Sequence, residues 1–146
     1  MKILVLLGPN LNMVGVRKKE VYGTMSADDI NKKIVEYAAE KNIECDIFQS
    51  NLEGELIDKI HGVLDIYDGV IINPGALTHY SYALRDAIEC VLEVPFIEVH
   101  MSDISKREDF RKISVTAEVC VKQIMGFGAD SYLYAIDSLV EVLNAK

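Results

Sequence analysis

No stretch of this sequence approaches the ~18 consecutive apolar residues that a membrane helix requires. The first apolar stretch, residues 3–7, is shorter than the ~7–15 residues of a signal-peptide core, and Gly8-Pro9-Asn10 follows it directly. It therefore reads as a buried first strand. The three cysteines, Cys45, Cys90 and Cys120, form no C-x-x-C pair, and no His or Cys spacing suits a zinc site. Their odd count and apolar surroundings fit free, buried thiols in a reducing cytoplasm, and no metal is expected. Positive charge is also scarce. A formal charge of −8 argues against a nucleic-acid surface or an anionic membrane as partner, although a local basic pocket can still take an anionic substrate. There is no G-x-x-x-x-G-K-[ST], and Gly126-Phe127-Gly128 is followed by Ser131 where a dinucleotide fingerprint needs its third glycine. The first loop lacks the Ser/Thr/Gly density of a flavin-phosphate loop. No G-x-S-x-G elbow marks Ser50, Ser81 or Ser102 as a nucleophile.

What is present is a chain of 146 residues, half of them hydrophobic, long enough for one domain with a sizeable core. Short Val- and Ile-rich runs alternate with amphipathic stretches. Strands are expected at 2–7, 43–48, 69–72, 96–100 and 119–125. Ser26-Ala27-Asp28-Asp29 offers a helix cap with an acidic residue three later, and Ile30, Ile34, Tyr37 and Ala38 recur behind it at helical spacing. Further helices are expected around Leu56, Ile57, Ile60, Val63 and Leu64, over 78–92 and over 130–144. The stretch 101–118 shows no clear period. Strands alternating with helices imply right-handed βαβ units and a parallel sheet covered on both faces. Five strands in this length point to the flavodoxin-like doubly wound order 2-1-3-4-5, in one domain.

In such sheets ligands bind beyond the carboxyl ends of the strands. Those ends read Gly8-Pro9-Asn10-Leu11-Asn12, Gln49-Ser50-Asn51, Asn73-Pro74-Gly75 and Glu98-Val99-His100-Met101-Ser102. One polar strand end is ordinary turn chemistry; four together suggest a polar pocket. Glu98 and His100 are two apart in an extended segment, so both side chains share a face. A carboxylate beside an imidazole fixes its tautomer and raises its basicity, or is simply a satisfied pair at a strand end. His79 is either a ligand for a substrate oxygen or a solvated residue at a helix start, and His61 reads as a surface histidine. The loop over 13–25 exceeds the ~2–6 residues usual for a βα connection. It carries Arg17, Lys18, Lys19, Glu20, Tyr22 and Gly23, and reads as a solvated basic loop or as a lid. A phenol has a pKa near ~10. A cation ~4 Å away is worth about 4 kcal/mol at an effective dielectric of ~20, so Tyr22 beside Arg17 could serve as a base near neutral pH.

Taken together, these motifs resemble type II 3-dehydroquinate dehydratases over nearly the whole chain. The resemblance rests on Gly8-Pro9-Asn10-Leu11-Asn12, Arg17 with Tyr22-Gly23, Gln49-Ser50-Asn51 with Glu53-Gly54, and Asn73-Pro74-Gly75-Ala76 with Thr78-His79 and Ser81. It continues through Ala83-Leu84-Arg85-Asp86-Ala87, Glu98-Val99-His100 with Ser102, Phe110-Arg111 and Gly126-Phe127-Gly128. It implies a cofactor-free dehydration of 3-dehydroquinate to 3-dehydroshikimate. Tyr22 would remove a proton alpha to the ketone, with Arg17 beside it, and Asn12 would hold a water against the enolate. His100, oriented by Glu98, would protonate the departing hydroxyl. Asn73, Gly75, Ala76, His79, Met101, Ser102 and Arg111 would bind substrate. Asp86 would reach the site of a neighbouring subunit in a cytoplasmic dodecamer built from trimers. Two positions depart from the family pattern. Lys18-Lys19 stand where Glu-Pro is usual. Asp103 stands where Asn is frequent, and is expected to point away from the substrate. The alternative reading is a non-catalytic flavodoxin-like binding or signalling module.

Overall fold

The computed structural model describes residues 1–16 and 24–146. Five strands, β1 (Lys2–Leu7), β2 (Glu44–Gln49), β3 (Gly69–Asn73), β4 (Phe96–His100) and β5 (Lys122–Met125), form one parallel sheet in the order β2-β1-β3-β4-β5. Among the described residues four helices cover it: α1 (Ala27–Glu40), α2 (Glu53–His61), α3 (Tyr82–Glu89) and α4 (Asp130–Asn144). The flavodoxin-like order expected from the sequence is the order found.

Alternation along the central strands separates two cores. Ile3, Val5, Leu7, Ile71, Ile97 and Val99 face Ile30, Ile34 and Ala38 of α1 and Tyr132, Ala135, Ile136 and Leu139 of α4. Leu4, Leu6, Val70, Ile72 and Phe96 face Leu56 and Ile60 of α2 and Leu84, Ala87 and Ile88 of α3. Period-2 side chains buried on both faces account for the apolar runs Ile3–Leu7 of β1 and Val70–Ile72 of β3, while in β4 Glu98 and His100 interrupt the apolar series. Helix α1 opens with the capping box read from the sequence. The Ser26 oxygen accepts from the Asp29 N–H at 3.1 Å, and Asp29 Oδ2 accepts from the Ser26 N–H at 3.2 Å.

Three expectations need correction. The helix expected over 78–92 is divided into a 3-10 turn, Gly75–His79, and α3. The Ser81 oxygen caps the Leu84 N–H at 2.9 Å and its hydroxyl donates to Glu53 at 2.6 Å, so the backbone at Ser81 must be extended rather than helical. The fifth strand begins at Lys122 rather than 119, because Ser114 accepts from the Thr116 and Ala117 N–H groups and folds 117–119 into a 3-10 turn. The cysteines are free, but only Cys45 and Cys120 are even half-buried; Cys90 is exposed at the end of α3.

Two glycines bring the strand ends together. A Cβ on Gly8 would lie 2.3 Å from the Pro74 carbonyl oxygen, while the Gly8 N–H donates to the Asn73 carbonyl at 2.8 Å. Gly75, at φ +61°, would place a Cβ 2.9 Å from the Pro9 carbonyl oxygen. Only a residue without a side chain allows the turns after β1 and β3 to approach this closely.

Candidate active site

The carboxyl ends of β1, β3 and β4 enclose a cavity of about 110 Å³. The first turn contributes Pro9, Asn10 and Leu11, the second Asn73, Gly75, Ala76 and His79, and the segment after β4 contributes His100, Met101, Ser102, Ile104, Arg107 and Arg111. The end of β2 plays a different part from the one expected. Gln49 Nε2 donates to the Gly8 carbonyl at 3.1 Å, Asn51 Oδ1 accepts from the Asn10 N–H at 2.9 Å, and Ser50 donates to Glu55 at 2.5 Å. Gln49 and Asn51 brace the first turn and Ser50 ties the strand end to α2; none of the three lines the cavity.

Glu98 and His100 do share a face. Glu98 is 0% exposed, His100 is buried, and His100 Nε2 lies 2.8 Å from Glu98 Oε2. Gln123 Nε2 donates to the same oxygen at 2.6 Å, Ser114 donates to both carboxylate oxygens at 2.9 Å, and Thr116 makes a short bond to Oε1. Burial, the largest single influence on this carboxyl, opposes its ionisation. The hydrogen bond and charge of His100, joined by Thr116 and Gln123, outweigh burial and hold Glu98 below the usual carboxylate range. An ionised carboxylate only accepts, so His100 Nε2 is the donor.

Asn73 is buried and doubly fixed. Its Nδ2 donates to the Tyr132 hydroxyl at 2.8 Å and its Oδ1 accepts from the Gly75 N–H at 3.1 Å. An amide has two hydrogens and two lone pairs, so half its capacity remains for a ligand. His79 Nδ1 donates to the Ile113 carbonyl at 2.8 Å. Burial pushes the His79 pKa down, with the charges of His100 and Arg111 acting the same way and the Ile113 carbonyl against. The neutral ring then offers Nε2 as an acceptor. Arg111 stacks over the Phe110 ring at 4.6 Å and reaches Glu108 at 3.3 Å. Asp103 accepts from the Ser105 N–H and hydroxyl at 3.0 and 2.5 Å, capping the turn at Ile104–Lys106 and lying outside the cavity lining.

The remaining candidates fall elsewhere. Asn12 is exposed in the 3-10 turn Leu11–Met13, where Asn10 rather than Asn12 lines the cavity. Asp86 lies on the exposed side of α3, away from this chain's own cavity. Arg17 and Tyr22 lie outside the described residues. Sequence reading missed Arg107, which lines the cavity beside Arg111, and it missed the donors Ser114, Thr116 and Gln123. Only the register Glu98↔Gln123 and the turns after 113 bring those donors to Glu98. Among the described residues, no cluster of three His, Cys, Asp or Glu side chains is placed to hold a metal ion.

A doubly wound parallel sheet with a buried carboxylate–imidazole pair and guanidinium groups at its carboxyl rim defines an acid–base site for a small anionic ligand. The family model Dehydroquinase class II matches residues 1–140. The 3-dehydroquinate dehydratase of Halothermothrix orenii is 54% identical over 143 residues, covering 98% of this chain and 96% of that one. The crystal structure of type II dehydroquinase from Butyrivibrio crossotus superimposes with a TM-score of 0.94 at 51% identity, covering 96% of this chain and 97% of that one. The type II dehydroquinase structure from Propionibacterium acnes gives a TM-score of 0.90 at 37% identity, with 96% of each chain covered. The chain belongs to the class II dehydroquinase family.

Proposed function

We propose that this chain is a hydro-lyase that dehydrates 3-dehydroquinate to 3-dehydroshikimate in the shikimate pathway. The observation that carries this is His100 at the cavity wall, 2.8 Å from the buried Glu98 behind it, in a chain that matches its family along nearly its whole length. Elimination beta to a ketone needs a base for the alpha proton, a stabiliser for enolate charge and an acid for the leaving hydroxyl. It moves no electrons to or from a carrier, so acid–base side chains suffice. A positioned acid or base contributes ~10²–10⁴-fold, and oriented donors at the developing oxyanion a comparable factor.

In this reading His100 is the acid and Glu98 its orienting partner. Tyr22 is the base, with Arg17 beside it, and Asn12 holds the water that faces the enolate. Arg111 takes the substrate carboxylate. Asn73 and neutral His79 accept or donate to its hydroxyls, and the backbone of Gly75, Ala76, Met101 and Ser102 completes the cradle. We further propose that residues 1–146 act as one catalytic domain with residues 13–25 as its lid. Asp86 reaches a neighbour's cavity in a cytoplasmic dodecamer of trimers. A non-catalytic module finds no support in a buried carboxylate that holds an imidazole at the wall of a polar cavity.

The product is a conjugated enone, so ultraviolet absorbance follows the reaction. Growth of absorbance with wild type and its near-complete loss in Tyr22→Phe at unchanged folding is the expected result. Equal activity in both removes Tyr22 as the base. A folded wild type that leaves 3-dehydroquinate unchanged overturns the reading.

A further inference from the structure

Glu98 is held by more donors than orientation of one imidazole requires. His100 and Gln123 share Oε2, Thr116 holds Oε1, and Ser114 bridges both. A carboxylate has about four acceptor sites, so this one is close to saturated. The saturation has a chemical consequence. In a dry site a carboxylate and an imidazolium lower their energy by passing the proton across and becoming a neutral pair, since burial penalises both charges. Donors from Gln123, Thr116 and Ser114 stabilise the ionised form of Glu98 more than the neutral acid and oppose that transfer.

We propose that Gln123 and Thr116, with Ser114, are positioning residues that keep Glu98 a carboxylate, hold a proton on His100 Nε2, and thereby make Nδ1 the nitrogen that protonates the departing hydroxyl. This rests on the dehydratase reading for the identity of the leaving group. The proton balance is simple. The imidazolium gives its Nδ1 hydrogen to the hydroxyl as the C–O electron pair leaves with oxygen. Water departs, and the ring remains neutral with Nε2–H still on Glu98. Had Glu98 taken the Nε2 proton, the neutral ring would carry its one hydrogen on Nδ1. Donating it would leave an anionic ring unless a second proton followed from Glu98. Ser114 also accepts the Thr116 and Ala117 N–H groups and so holds the fold. Thr116 and Gln123 are therefore the cleaner probes.

The test uses Thr116→Val, Gln123→Met, the double variant and Thr116→Ser. Nitrogen-15 NMR of the His100 ring and carbon-13 NMR of the Glu98 carboxyl are followed through a pH titration, alongside kcat and KM. Wild type is expected to keep Nε2 protonated and Glu98 ionised through the neutral range. The double variant is expected to show a protonated Glu98 carboxyl and a bare Nε2. Its kcat should fall at least ~10-fold, and by no more than the ~10²–10⁴-fold that a positioned acid supplies, while KM stays within about 2-fold. Thr116→Ser, which keeps the hydroxyl, is expected to rescue the Thr116→Val loss. A wild-type ring with bare Nε2, or a double variant with wild-type spectra and kcat, overturns the proposal. If the double variant does not fold, the wild-type titration decides between Nε2–H and bare Nε2. A wild type that shows Nε2–H but leaves 3-dehydroquinate unchanged overturns the dehydratase reading and the delivery step, while the proton placement itself stands.

Discussion

Glu98 owes its charge to its neighbours, and that dependence has a pH signature. In the unfolded chain its carboxyl titrates near the ordinary 4.5; in the fold it is held lower, against burial, by His100, Thr116 and Gln123. Between those two values the unfolded chain binds a proton that the folded chain does not, so stability rises with pH there. The contribution is complete above about 4.5 and is lost as pH falls through the folded value. Urea unfolding at a series of acidic pH values should therefore give a shallower dependence for Glu98→Gln than for wild type, and equal slopes would refute the assignment. A second residue-scale prediction concerns Tyr132, which is fully buried and accepts from Asn73 Nδ2. Burial raises its pKa to about 12, with the Asn73 hydrogen bond acting against, so the hydroxyl stays neutral. Tyr132→Phe strands the amide hydrogen, which should cost about 1–3 kcal/mol in denaturant unfolding. It should also raise KM through a looser Asn73; an unchanged KM would show that Asn73 needs no such anchor.

At the level of elements, the site depends on how closely the turns after β1 and β3 approach. Gly8→Ala puts a Cβ 2.3 Å from backbone that cannot rotate away. The expected outcome is a loss of about 1–3 kcal/mol, as for overpacking elsewhere, with a lower kcat/KM because Pro9, Asn10 and Gly75 line the cavity. Full stability and activity in this variant would mean that the turns separate freely. Ser26→Ala removes the α1 cap and should cost about 1 kcal/mol without changing kcat, since α1 contributes nothing to the cavity lining. This scale also shows where the sequence could be read. β1, β3 and β4 are short Val- and Ile-rich runs, and α1 and α4 carry helical period, so each is legible from pattern alone. Residues 101–119 hold three 3-10 turns fixed by side-chain bonds such as Asp103 to Ser105 and Ser114 to Ala117, which leave no period. Arg107, Ser114 and Thr116 sit in the segments that flank those turns and Gln123 on the neighbouring β5, so no pattern in the sequence marks them. Glu98 and His100 did not, because a strand of known phase places both on one face.

For the molecule as a whole, the two-sided core explains why one rim carries the chemistry. Both faces of the sheet are closed by helices, and polar groups gather where β1, β3 and β4 end. The proposed assembly adds the exposed Asp86 to that rim from outside. Sedimentation should then give a mass near twelve times 16.3 kDa. Asp86→Asn should lower kcat/KM without altering the fold of the single chain, whereas a fully active monomer would exclude any role for a neighbour. His100 is the acid of the proposed dehydration, and steady-state absorbance with 3-dehydroquinate for wild type beside His100→Gln is the experiment that bears on it without intermediaries. The expected kcat of His100→Gln is lower by ~10²–10⁴-fold, with KM within a few-fold and the melting temperature close to wild type. A His100→Gln enzyme that turns over at the wild-type rate would contradict that role.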